Sequence, residues 1–195
     1  MRLLLLAPPG GGKGTQGERQ AAWSGARHIA AGDLLRAQAR ADDPLGRQIA
    51  ACQARGDLVS DQIVIDVLTP VVVEAAAHGG YILDGFPRTL PQAHAAADLA
   101  ARLGVTLDAA IYLHAPEPVL ISRLLARAAQ SGRSDDKAEV IRHRLTVFGE
   151  TTGLLVPYYR ERGILVQVDA DQPPDAVTAV IQARLAALAG RLSPG

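Results

Sequence analysis

The run Leu3-Leu4-Leu5-Leu6-Ala7-Pro8-Pro9-Gly10-Gly11-Gly12-Lys13-Gly14-Thr15-Gln16 constrains this chain more than any other segment. Four consecutive apolar residues read as a short buried strand. The glycines that follow make a turn whose backbone N–H groups can approach a ligand without interference from a Cβ. From Gln16 onward the sequence reads as helix, so the turn and the helix N-terminus face one point. Amides and helix dipole together attract phosphate oxygens there. Lys13 adds a mobile full charge for the outer phosphates, and Thr15 adds a hydroxyl. A nucleoside triphosphate is the expected ligand.

Two positions depart from the general G-x-x-x-x-G-K-[ST] loop. Ala7 replaces the first glycine, and Gly14 stands where Ser or Thr normally follows the lysine. A glycine-rich turn that binds nothing is the alternative reading. Six glycines or prolines and a lysine directly after a strand weigh against it. Lys13-Gly14-Thr15 resembles the loop of nucleoside monophosphate kinases more than that of GTPases or motor ATPases.

At 195 residues the chain suffices for one well-filled domain. Its 20 basic and 20 acidic residues cancel, which leaves no basic stripe for nucleic acid and no charged tail. The single Cys52 excludes an internal disulfide and a multi-cysteine zinc site, and it reads as a small buried residue on a helix. Met1-Arg2 leads straight into the first strand, with no signal-peptide pattern, and no apolar run is long enough for a membrane span. A cytoplasmic protein is expected.

Short apolar runs alternate with longer helix-period segments, the pattern of a parallel sheet covered by helices. Strands are expected at Leu3–Leu6, His28–Ile29, Tyr81–Leu83, Ala110–Leu113 and Ile164–Val168. Helices are expected near Lys13–Ser24, Gly32–Arg40, Pro44–Ala54, Asp61–His78, Pro91–Arg102, Pro116–Ala128, Asp136–Tyr158 and Pro174–Leu188. Pro70 is expected to kink or interrupt its helix, and Ser60 or Asp61 to cap it. Residues 193–195 are expected to fray.

A second block, Asp84-Gly85-Phe86-Pro87-Arg88-Thr89, follows the strand at Tyr81 directly. Strand ends beside a phosphate-binding strand are where ligands sit in open α/β sheets. Asp84 could orient the water ligands of a magnesium ion, and Arg88 could hold a second phosphate with its planar fork. A capping aspartate and a surface arginine would be the structural alternative. A third block is positive: Arg123, Arg127, Arg133, Arg142 and Arg144 surround the turn Gln130-Ser131-Gly132. Arg123 and Arg127 share a helix face, whereas Arg142 and Arg144, two apart, cannot. A solvated charged helix is the plain alternative for this run.

Gly-Phe-Pro-Arg-Thr after a strand, together with Pro-Gly-Gly-Gly-Lys-Gly-Thr-Gln, strongly resembles the adenylate kinase family, and the resemblance covers the whole chain. It implies a P-loop, doubly wound α/β fold with a five-stranded parallel sheet in the order 2-3-1-4-5. It also implies a core at 1–29, 60–125 and 136–195, an acceptor-binding region at 30–59 and a short lid at 126–135. Only five residues separate Arg127 from Arg133. The long-lid members insert a small domain there, sometimes with zinc-binding cysteines, so this resembles the short-lid form without zinc.

By the same resemblance, Gly10, Gly11, Gly12, Lys13, Gly14 and Thr15 cradle the ATP phosphates. Arg127 packs on the ATP base, Arg123 contacts its phosphates, and the loop at Gln172 meets its adenine. Arg36 and Arg88 hold the AMP phosphate. Ala31, Asp57, Leu58, Val59, Gly85, Phe86 and Pro87 line the AMP pocket, and Gln92 reads the adenine edge. Arg133 and Arg144 contact the transferred phosphoryl group, oriented by Asp135-Asp136, with Arg142 a surface charge. The implied reaction is MgATP + AMP giving two ADP, by a monomer that engages neither nucleic acid nor membrane.

One departure touches the acceptor. The family's usual Ser-Thr-Gly-Asp is Ala30-Ala31-Gly32-Asp33 here, which removes a threonine hydroxyl near the AMP base. An alanine there is similar to uridylate/cytidylate kinases. Those, however, usually carry Asn after Phe-Pro-Arg and lack the glutamine, where this chain has Thr89 and Gln92. A pyrimidine monophosphate kinase and an ATP-binding protein without kinase activity remain the alternatives. A GTPase is disfavoured, since no Asn-Lys-x-Asp motif occurs.

Overall fold

The computed structural model describes residues 1–55, 59–131 and 138–192. Five parallel strands, β1 (Arg2–Leu6), β2 (Arg27–Ala30), β3 (Tyr81–Asp84), β4 (Ala109–His114) and β5 (Leu165–Asp169), form one sheet in the order β2-β3-β1-β4-β5. Each expected strand is present, and so is the expected order. β1 lies in the middle, with Leu4 beside Leu83 on one side and Ala110 on the other. Its leucines are 0–2% exposed because helices cover both faces. Alternation divides them: Leu4 and Leu6 enter one hydrophobic cluster, Leu3 and Leu5 the other.

The helices are α1 (Lys13–Ser24), α2 (Ala31–Gln38), α3 (Pro44–Arg55), α4 (Asp61–Ala77), α5 (Leu90–Leu103), α6 (Glu117–Ser131), α7 (Ala138–Glu150), α8 (Leu155–Glu161) and α9 (Pro174–Leu192). Gly25 and Gly104 end α1 and α5 in the left-handed conformation, at φ 72° and 69°. Thr89 caps α5 by accepting from the Gln92 amide at 3.4 Å. Cys52 is half-buried on α3. No helix among the described residues is long and apolar enough to cross a membrane.

Three expectations are corrected. The single helix expected over 136–158 is two, with the 3-10 turn Thr152–Leu154 between α7 and α8. Thr151 turns its hydroxyl back to the Val147 carbonyl, and Thr152 donates to the Arg88 carbonyl at 3.0 Å, so hydroxyls there compete with the helix ladder. Pro70 does not interrupt α4, which runs unbroken to Ala77. Pro70 and Asp66, whose carbonyl loses its partner, both lie on the exposed side, where water can satisfy it. Ser60 offers α4 no side-chain cap; only its carbonyl is used, by Val64 at 3.1 Å, and the Asp61 carboxylate is engaged by Gln92.

Candidate active site

β1 delivers the chain into the glycine turn at the sheet's C-terminal edge, where β1 has neighbours on opposite sides running to different helices. That is the switch point at which open α/β sheets bind ligands. Gly10 and Gly12 take φ of 80° and 88°, which disfavours any other residue. A Cβ on Gly10 would also lie 2.8 Å from the Leu120 carbonyl of α6. Ala7 causes no strain, since no non-glycine residue among those described has positive φ. Its methyl is buried with Leu3 and Leu5, and a Cβ on Gly11 would come within 2.8 Å of it. The departure at Ala7 therefore fills core space and leaves the turn intact. α1 then starts with neither a side-chain cap nor an acidic residue in its first turn, which leaves its first amides to a ligand.

Lys13 is half-buried, and its Nζ donates to the Ala7 carbonyl at 2.7 Å. Burial lowers its pKa below the ordinary lysine value. Asp84 opposes that shift, and Arg88, Arg144 and Arg127 add to it. Asp84 is raised above the ordinary carboxylate range by burial, against the pull of Lys13, His28 and Arg88 and with a push from Asp33. Four chain segments are thus electrostatically joined: the turn, the end of β3, α6 and α7. Arg142 is exposed, whereas Arg144 is half-buried and acts on Lys13.

The Asp84 shift has a testable sign. Its folded pKa stands above the ordinary 3.8, so the folded state holds that proton more tightly. The charged form then costs stability at neutral pH, and the cost is relieved as pH falls through the folded pKa. Asp84→Asn is expected to leave the ligand-free Tm at pH 7 unchanged or raised by a few degrees. The difference should close toward acid, while MgATP-dependent turnover falls at least about tenfold. A large drop in Tm at pH 7 would contradict this, by melting curves across pH.

The remaining candidates are held in other ways. Arg88 donates from Nε to the Gly85 carbonyl at 2.8 Å, and its amide donates to Gln92 Oε1 at 2.7 Å. The Gln92 amide nitrogen donates to Asp61 at 2.6 Å, so both ends of that side chain are occupied here. Arg36 is exposed and pairs with Asp33 within α2 instead of meeting the Lys13 cluster. Arg123 donates to the Ala170 carbonyl at 2.8 Å, which ties α6 to the loop carrying Gln172, itself exposed. Val59 packs on the core beside α4, and Phe86 is buried in the same cluster. Asp57, Leu58, Arg133, Asp135 and Asp136 lie outside the described residues. Residues 126–131 of the expected lid continue α6.

Sequence reading missed His28. On β2 its ring lies on the α1 side of the sheet, among the charges acting on Asp84, with Nε2 buried and without a hydrogen-bond partner among the described residues. A Cβ on Gly17 would sit 2.3 Å from that nitrogen, which explains a glycine inside α1 despite a cost of about 1 kcal/mol. That out-of-place glycine was the available signal.

The family model that matches, adenylate kinase, covers residues 5–164. The chain belongs to the adenylate kinase family. It is 42% identical over 185 residues to an adenylate kinase of Stenotrophomonas maltophilia, covering 95% of this chain and 99% of that one. An adenylate kinase of Caulobacter sp. is 41% identical over 189 residues, at 97% and 100% coverage. One of Xanthobacter autotrophicus is 43% identical over 192 residues, at 95% and 98%. In this chain Ala31 is buried, and a Cβ on Gly85 would rest 3.8 Å from its methyl. The Gly85–Arg88 segment therefore packs against the position where the family's threonine is absent.

Proposed function

We propose that this chain transfers the terminal phosphoryl group of MgATP to AMP, giving two ADP, by the residues that converge on Lys13. The observation that carries the reading is that convergence: Asp84, Arg88, Arg127 and Arg144 all act on one half-buried lysine beside an uncapped helix start. Phosphoryl transfer needs alignment and charge neutralisation more than covalent chemistry. The acceptor phosphate is already a competent nucleophile and ADP a good leaving group, so no general base is needed.

Gly10–Thr15 would cradle the ATP phosphates, with Lys13 leaving the Ala7 carbonyl to follow the charge that moves. Arg36 and Arg88 would fix the AMP phosphate in line, which requires Arg36 to exchange Asp33 for the ligand. Arg123, Arg133 and Arg144 would close over the transferred group and exclude water that would otherwise hydrolyse ATP. Arg127 and the loop at Gln172 would hold the donor base, and Gln92 would read the acceptor's adenine edge. In this account residues 30–59 form the acceptor-binding region and 126–135 the short lid, both moving on the core.

The residues present fit magnesium. Asp84 is a half-buried carboxylate at the end of β3, electrostatically joined to Lys13 in the loop that carries Thr15, which suits an ion that keeps several waters and takes phosphate oxygens. Among the described residues no cluster of three His, Cys, Asp or Glu could hold a metal ion. When bound, magnesium would supply positive charge that neutralises what develops on the phosphate oxygens, with Asp84 orienting its water ligands. Neutral overall charge and a lone thiol suit a cytoplasmic monomer acting on free nucleotides.

Ala31 favours one second reading, a pyrimidine monophosphate acceptor. For the main reading, purified protein given equimolar MgATP and AMP is expected to form two ADP per ATP consumed, followed by phosphorus NMR, and to stop when EDTA is added. ATP loss without AMP loss would overturn it.

A further inference from the structure

The Gln92 side-chain amide is held at its two ends by groups of opposite kind. Its Oε1 accepts from the Arg88 backbone amide at 2.7 Å, and its Nε2 donates to Asp61 Oδ1 at 2.6 Å. A backbone N–H can only donate, and an ionised carboxylate can only accept. Both neighbours therefore demand the same orientation of the amide. Turned over, it would set N–H against N–H at one end and oxygen against carboxylate at the other.

The two bonds have different origins. Thr89 caps α5 and accepts from the Gln92 backbone amide, so Gln92 stands at the third helical position, from which a side chain ordinarily reaches back toward the cap. The bond to Arg88 is local capping of that kind. The bond to Asp61 comes from the first turn of α4, 31 positions away, and neither helix needs it for capping. What it adds is a second restraint on which way the amide points.

Each end of the amide can make one further bond, through the second oxygen lone pair and the second N–H. In the orientation held, these offer an acceptor to an exocyclic amino group and a donor to the ring nitrogen beside it. Adenine and cytosine present that pair. Hypoxanthine and uracil present the reverse, a carbonyl oxygen beside a ring N–H. An amide free to turn would serve either pattern.

We infer that Asp61 is a positioning residue for acceptor choice: by holding the Gln92 amide in one orientation, it favours AMP over acceptors whose base edge is reversed. The inference rests on the reading that Gln92 meets the acceptor's base. Asp61 is exposed, so its contribution is that of one solvent-screened bond, and the Arg88 amide keeps part of the restraint without it.

AMP and IMP differ at this edge alone, and so do CMP and UMP. The two ratios of kcat/KM, measured with MgATP on the full chain, therefore isolate the orientation of Gln92 from the size of the base. Where IMP turns over too slowly, its inhibition constant against AMP supplies the same ratio. Wild type is expected to favour AMP over IMP by about five- to 150-fold. Asp61→Asn keeps the size of the side chain but can either accept or donate. It is expected to lower the AMP:IMP and CMP:UMP ratios alike by about two- to twelvefold, chiefly through gains by IMP and UMP, and Asp61→Ala should do the same. A merely structural role would depress all four acceptors together and leave both ratios in place. If wild type phosphorylates none of the four, the phosphoryl-transfer reading fails and this inference with it. If AMP is phosphorylated and a folded Asp61→Asn keeps both wild-type ratios, this inference alone fails.

Discussion

Lys13→Ala is expected to lower kcat/KM by about a thousandfold or more while the far-UV circular dichroism stays unchanged. A charge-assisted contact to phosphate is worth about 1.5–3 kcal/mol in a ground state, or roughly ten- to 150-fold. Lys13 is placed to do more, because it can follow charge that migrates between donor and acceptor only in the transition state. The fold should tolerate the loss. Among the described residues Nζ donates only to the Ala7 carbonyl, and burial already disfavours its charge. Alanine is also well suited to the first turn of α1. Near-normal turnover by a folded variant would remove Lys13 from the site.

The second large effect is expected at Arg144. Arg144→Ala should lower kcat by on the order of 10³–10⁵ with KM for either nucleotide changed far less, the mark of an interaction made chiefly in the transition state. Arg142→Ala, two residues away on the exposed face of α7, should change kcat less than about tenfold. Only Arg144 of this pair acts on Lys13. Steady-state kinetics of the two variants side by side checks this. Equal losses would mean that the wrong face of α7 has been assigned to the chemistry.

Much of the sheet was legible because each strand carries its own local signature. Four leucines in a row can be buried on both faces only in a covered parallel sheet, and β1 is that strand. The glycine turn was legible for the same reason: positive φ at Gly10 and Gly12 is a local demand that only glycine meets cheaply. What could not be read depends on register and side-chain competition. His28 meets Asp84 only because β2 pairs with β3 so that Ala30 lies beside Asp84, putting both side chains on one face. The break between α7 and α8 turns on a Thr152 hydroxyl that finds the Arg88 carbonyl, a partner 64 positions away. Arg36 carries the right charge for an acceptor phosphate, yet without ligand its nearest anion is Asp33, one helical turn back. The alanines of α5 lie in a segment, Pro91–Arg102, that reads only as a helix. That they line an apolar cavity of about 300 Å3 follows only from what α4 and α8 bring opposite them.

Ala31 bears most on acceptor choice. The absent hydroxyl removes at most one neutral hydrogen bond, about 0.5–1.5 kcal/mol. Gln92 can still offer a donor and an acceptor to adenine beside its bonds to Asp61 and the Arg88 amide. A site that pairs with its base rejects a partner leaving polar groups unmatched by more than that loss. The most direct measurement is therefore kcat/KM for AMP, UMP, CMP and GMP with MgATP, under one set of conditions. AMP is expected to lead the other three by at least about tenfold. A higher value for UMP or CMP, or no transfer to any of the four, would contradict the assignment.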